Sequence, residues 1–152
     1  MLFGGLFAFV PNDRVDYKEI LKYENVLQLK LPKTGILVYK QSLDINSSIN
    51  DLTDMTAYYN KKISIKNLDK QIKNSKVWIN KKDLDNDLNK QFPLVVKMND
   101  FDNLYVSFYN TDTKQYNTKI ETPVKQHVIL TVYCKRTRSI SFYEYTYGNH
   151  SK

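Results

Sequence analysis

Between residues 94 and 147 the chain runs as short segments of alternating apolar and polar side chains, joined by connections of six residues or fewer. The segments are LVVKM at 94–98, LYVSFY at 104–109, YNTKIE at 116–121, VKQHVILTVYC at 124–134 and SISFYEYTY at 139–147. Period-two alternation rich in β-branched and aromatic residues is the pattern of strands lying on a core. A parallel crossover needs a dozen or more residues, so neighbours joined by TP or KRTR must pair antiparallel. The expected fold class is therefore α+β: an antiparallel β-barrel or sandwich formed mostly by residues 94–147 plus an N-terminal hairpin, with two or three short helices.

The first ninety residues supply the rest. LFAFV at 6–10 reads as a short strand stopped by Pro11, and Asn12 or Asp13 as the cap of a helix running to about Tyr23. VLQLKL at 26–31 alternates, with Leu27, Leu29 and Leu31 on one face. The Pro-containing turn PKTG at 32–35 would join it to ILVYK at 36–40 as a hairpin. From Ser47 to Asn60 the apolar residues Ile49, Leu52, Met55 and Tyr59 recur at spacings of three, three and four, which predicts a helix. Asn67 can cap a second helix over 68–75, KVWIN at 76–80 reads as extended, and Asp83 to Gln91 as a further helical turn or two. No repeat or low-complexity linker divides the chain, so residues 1–152 are expected to form a single domain.

Composition narrows the setting. Hydrophobic residues make up 41% of the chain and aromatics 13%, enough to form a core. Lys, Asn, Tyr and Ile account for 58 of 152 residues, while Ala occurs twice and Arg three times. The favoured residues have AT-rich codons, which points to an AT-rich viral or similar genome. Cys134 is the one cysteine, so no intramolecular disulfide can form, and an intracellular location (cytoplasm or nucleus of a host cell) is expected. The opening MLFGGLFAFVPNDR lacks the basic start and the small-residue cleavage site of a signal peptide. No window approaches the ~20 apolar residues of a membrane span, so no transmembrane segment is expected.

Charge is distributed unevenly. The stretch Lys61–Lys82 holds eight lysines and one acid, Asp69, which equals the whole formal net charge of +7. On a helical projection Lys62, Lys66, Lys70 and Lys73 fall on one side and Ile65, Leu68 and Ile72 on the other. Such a cationic face can be a plainly solvated surface, a phosphate-contacting surface for nucleic acid or another polyanion, or a contact for an anionic membrane. The segment has no Arg for bidentate base contacts and Trp78 as its sole aromatic. The turn KRTR at 135–138 adds Lys135, Arg136 and Arg138, a second cluster able to grip phosphate or carboxylate, or simply a solubilising tip.

Other chemistry-bearing residues are sparse. Asp83, Asp85 and Asp87 match the first positions of a calcium loop, but Leu88 stands where Gly is needed and Leu94 where Glu is needed. The acids suit a helix start instead. His127 and Cys134 lie seven positions apart on one expected strand, hence on opposite faces and roughly 20 Å apart at ~3.3 Å per residue. That separation rules out a dyad between them. No catalytic, metal or cofactor site is expected. Tyr143, Tyr145 and Tyr147 share one face of the last strand, either as an interface for a protein partner or second copy or as packing under a helix of the same chain. Residues 104–134 (YVSFYNTDTK, then IETPVKQHVILTVYC) resemble the closing strands of dUTPase-type folds over about a fifth of the chain. That family's catalytic aspartate motifs and Gly-rich tail are absent, so the resemblance implies no activity.

The expected function is non-enzymatic: a structural, assembly or host-interaction protein acting through strand-face contacts with a protein partner or in a homo-oligomer. The alternative is a nucleic-acid or other polyanion-binding module using the lysine-rich segment 61–82 with Lys135, Arg136 and Arg138.

Overall fold

A computed structural model describes residues 13–33, 36–41, 48–93, 104–121 and 124–148. Its strands are β1 (Asp13–Val15), β2 (Ile36–Gln41), β3 (Ile49–Tyr59), β4 (Ile79–Asn80), β5 (Leu104–Asn110), β6 (Gln115–Tyr116), β7 (Gln126–Cys134) and β8 (Ser139–Tyr147). The helices are α1 (Lys18–Leu21), α2 (Glu24–Leu27), α3 (Lys62–Lys73) and α4 (Asn86–Asn89), with a 3-10 turn at Lys81–Asp83. All the strands join one antiparallel sheet in the order β1-β2-β3-β8-β7-β5-β4. β6 shares an edge of β5 with β4, pairing at Tyr109 and Asn110 where β4 pairs at Tyr105 and Val106. The antiparallel α+β character matches expectation. Among the described residues the strand order is open, so the sheet does not close into a barrel there.

The largest departure from the sequence reading is β3. The Ile49, Leu52, Met55, Tyr59 spacing is helical, yet 49–59 is an eleven-residue strand paired with β2 on one side and β8 on the other. A bulge between Asn50 and Thr53, with Asp51 in the left-handed region (φ 56°), and apolar packing on both faces of the strand together produce the deceptive period. The extra residue lets Ile49 and Leu52 share one face of the sheet, while Met55, Ala57 and Tyr59 sit on the other. Thr53, Thr56, Tyr58 and Tyr59 are β-branched or aromatic and favour the extended chain.

The N-terminal hairpin is also rearranged. Residues 26–31 are not a strand: α2 ends at Gln28 in the left-handed conformation (φ 55°), and Leu29 to Leu31 pair with no strand. Leu27, Leu29 and Leu31 are buried as the alternation requires. Side chains replace the missing ladder: Leu31 N–H donates to the Glu24 carboxylate (2.7 Å), and the Gln71 amide both accepts from Lys30 N–H (2.8 Å) and donates to Lys30 C=O (3.1 Å). β2 pairs with β1 and β3 instead. The single helix expected up to Tyr23 is β1 followed by one four-residue helix, α1; a second, α2, begins just after Tyr23. Of YNTKIE only Tyr116 joins the sheet, together with the preceding Gln115 as β6, because Asn117 turns out at φ 54°. Its side chain accepts from Phe108 N–H and donates to Val77 C=O. The strands expected at 6–10 and 94–98 lie outside the described residues, as does Thr34–Gly35 of the expected turn.

The sheet is packed on both faces. On one, Met55, Ala57, Tyr133, Ile140 and Phe142 lie in a cluster with Ile20, Tyr23 and Leu27 of the α1–α2 segment and with Ile65, Leu68 and Ile72 of α3. Trp78 belongs to this cluster, its indole N–H donating to Leu27 C=O (3.1 Å). On the other, Val106, Phe108, Val128, Leu130 and Tyr145 pack with Leu88, Phe92 and Ile120.

Candidate polyanion-binding surface

α3 is anchored by its apolar stripe. Ile65, Leu68 and Ile72 are buried against the sheet together with Ser64, which fixes the rotation of the helix about its axis. Asn67 therefore lies mid-helix and does not cap it, the helix beginning at Lys62. Lys62, Lys66, Lys70 and Lys73 are all exposed on the opposite side, as the projection predicts. At ~1.5 Å rise per residue this row of cations extends over roughly 16 Å.

The β7–β8 turn is brought to the same surface. Arg138 closes the turn by donating its N–H to Lys135 C=O (3.1 Å) and adopts φ 54°, while its own C=O accepts from Tyr59 N–H (2.9 Å). Lys135, Arg136, Thr137 and Arg138 are exposed. The junction with α3 is Asp69, whose side chain is only 14% exposed. One oxygen, Oδ2, is 2.8 Å from Lys73 Nζ and 3.6 Å from Lys135 Nζ; the other, Oδ1, accepts from the Tyr133 hydroxyl at 3.3 Å. The hydrogen bond and charge of Asp69 raise the pKa of Lys73 above the usual lysine value. Sequence reading placed the two basic clusters in one hypothesis but missed the residue that joins them. The local signals were its standing as the one acid among the eight lysines of 61–82 and its i,i+4 spacing to Lys73.

The remaining candidates fall elsewhere. Tyr143 and Tyr145 are interior, buried in the cluster that holds Leu88, Phe92 and Ile120, with Tyr147 packed at its margin. The Tyr145 hydroxyl donates to Gln91 C=O (2.9 Å). The row expected as an interface is thus covered by the chain itself. Asp85 caps α4 by accepting from Asp87 N–H (3.0 Å), and Asp87 pairs with Lys119 (3.3 Å). Among the described residues no group of three or more His, Cys, Asp or Glu is arranged to hold a metal ion.

Two acids that sequence reading passed over are embedded in the sheet. Glu144 accepts from the Tyr23 hydroxyl at 2.7 Å and lies 2.6 Å from His127 Nε2. It thereby ties the α1–α2 segment to β7 and β8. Asp54 is buried opposite Tyr143, and desolvation pushes its pKa up to about 6.

No described helix is long and apolar enough to cross a membrane. Comparison with protein-family models, curated proteins and solved structures finds no match for this chain, so the resemblance of 104–134 to dUTPase-type strands gains no support.

Proposed function

We propose that this protein is a binding module for the phosphate backbone of nucleic acid, acting through the lysine face of α3 and the adjoining β7–β8 turn. The observation that carries the reading is the division of labour on α3. Its apolar stripe is committed to the core, and the exposed side carries Lys62, Lys66, Lys70 and Lys73 with a single exposed apolar residue, Ile63, beside them. Lysine is a point charge suited to phosphate contact without base reading. Trp78 and Tyr133 are buried, which removes them as stacking platforms for unpaired bases and favours a duplex. An interfacial membrane helix needs its apolar face available to insert, and Ile65, Leu68 and Ile72 are not. The lone thiol and the codon bias support a setting inside a cell, viral or otherwise, where nucleic acid is an abundant polyanion.

The test is fluorescence anisotropy of a labelled duplex at roughly 50 and 200 mM salt, with the wild type and a Lys62/Lys66/Lys70→Gln variant. Binding that weakens steeply with salt and is lost in the variant supports the proposal. Absence of binding at the lower salt, or binding that the variant retains, overturns it. Co-sedimentation with anionic vesicles but not duplex would move the reading to a membrane surface.

A further inference from the structure

Two of the cations on this surface are already engaged. Lys73 from α3 and Lys135 from the β7–β8 turn, 62 positions apart in sequence, converge on a single oxygen of Asp69 at 2.8 and 3.6 Å. The Tyr133 hydroxyl holds the second oxygen at 3.3 Å. Two ammonium groups directed at one carboxylate form a donor pair that a phosphoryl group would also use. The carboxylate differs from an incoming ligand only in belonging to the chain. Both lysine side chains remain about half exposed (48% and 50%), so a phosphate has access to them from solvent.

We infer that Lys73 and Lys135 form a phosphoryl-binding cradle, and that Asp69, held by the buried Tyr133 hydroxyl, is its resident competitor, occupying it until a backbone phosphate draws the lysines away. The inference rests on the proposed nucleic-acid reading and adds a regulating residue to it. Lys62, Lys66 and Lys70 lie along the same exposed side of α3, and no ion pair joins them to a described acid. They make the first contacts in this scheme. Lys73 and Lys135 join only when a phosphate outcompetes Asp69, so the wild type binds more weakly and less salt-dependently than its lysine count implies. The carboxylate meanwhile fixes the turn against the helix.

The experiment compares wild type, Asp69→Asn and, as a control of equal charge change, Glu121→Gln, an exposed position next to Ile120 of the other cluster. The probe is a labelled duplex of roughly 20 bp titrated between about 50 and 200 mM salt. Asparagine keeps an acceptor for the Tyr133 hydroxyl, and circular dichroism with a urea melt establishes that the variant folds. The expected result is that Asp69→Asn binds about three- to tenfold tighter at the lower salt. Its log–log salt slope should be steeper by about 0.9 for each lysine released, while Glu121→Gln stays within about twofold of wild type. Lys135→Gln should have little effect in the wild type and remove much of the gain in the Asp69→Asn background.

Asp69→Asn no tighter than Glu121→Gln, or Lys135→Gln equally harmful in both backgrounds, overturns the cradle while leaving the α3 surface standing. If neither wild type nor Asp69→Asn binds at the lower salt, the surface reading falls and the cradle with it. Should Asp69→Asn fail to fold, the same comparison with Asp69→Ser decides the matter by the same outcomes.

Discussion

Asp54 shows how much one side chain's environment can outweigh its chemistry. A carboxylate placed on a central strand opposite Tyr143 loses its water, and its pKa rises from 3.8 to about 6. The folded protein then binds a proton more tightly than the unfolded chain does. The contribution of Asp54 to stability is therefore fully present below about pH 4, is lost as pH rises through about 6, and is level above it. Asp54→Asn removes the ionisable group with little change of shape. Urea melts at pH 8 should show the variant more stable than wild type by on the order of 1–2 kcal/mol, with the difference vanishing near pH 3. Equal differences at both values would mean that the carboxylate is solvated in the native state. Asp69 differs in its partners: it is met by three donors, two of them cationic.

At the scale of elements, α3 and β3 are adjacent in sequence and were unequally legible. The stripe Ile65, Leu68, Ile72 repeats at the helical period, and the structure buries those residues. The stripe on β3 also repeats near the helical period, but there a bulge at Asn50–Thr53 and apolar packing on both faces supply the odd spacing. A local pattern cannot distinguish a helix from a bulged strand. Pairing with β2 and β8 settles it, through hydrogen bonds to partners distant in sequence. The two faces of α3 should separate stability from binding. Leu68→Ala leaves a cavity beneath the helix and should lower unfolding free energy by about 2–4 kcal/mol in urea melts. Lys62/Lys66/Lys70→Gln should shift the same melts by less than about 0.5 kcal/mol, because those side chains are solvated. A large loss of stability in the lysine variant would reassign that face to structure.

Over the whole molecule the sheet is held together by non-local pairing. β8, the last strand, lies between β3 and β7, so residues 49–59 are held by residues 139–147. Glu144 on β8 adds the ties to Tyr23 and His127. A chain ending at Arg138 would expose one long edge on β3 and another on β7 and strip Ile140, Phe142 and Tyr145 from both cores. Circular dichroism and dispersion of amide resonances should report loss of the fold across the whole chain, helix α3 included. Retention of a cooperative melt by the shortened chain would show that β8 is peripheral. Long-range pairing also predicts folding slower than in a helical protein of this length, on the millisecond-to-second scale in stopped-flow measurements.

The sequence by itself determined the antiparallel strands β5, β7 and β8, the orientation of α3 and the placing of its lysines opposite its core stripe. Each follows from side-chain periodicity and short connections, which are properties of neighbouring residues. Only the tertiary structure decided the rest. Tyr143 and Tyr145 are interior because they pack in one cluster with Leu88 of α4 and Phe92; residues 49–59 form a strand because β2 and β8 supply a ladder. Lys135 reaches α3 because β7 carries the turn to Asp69, 66 residues earlier in the chain. Burial, pairing and ion contact between distant segments are properties of the folded arrangement, and no window of local sequence contains them.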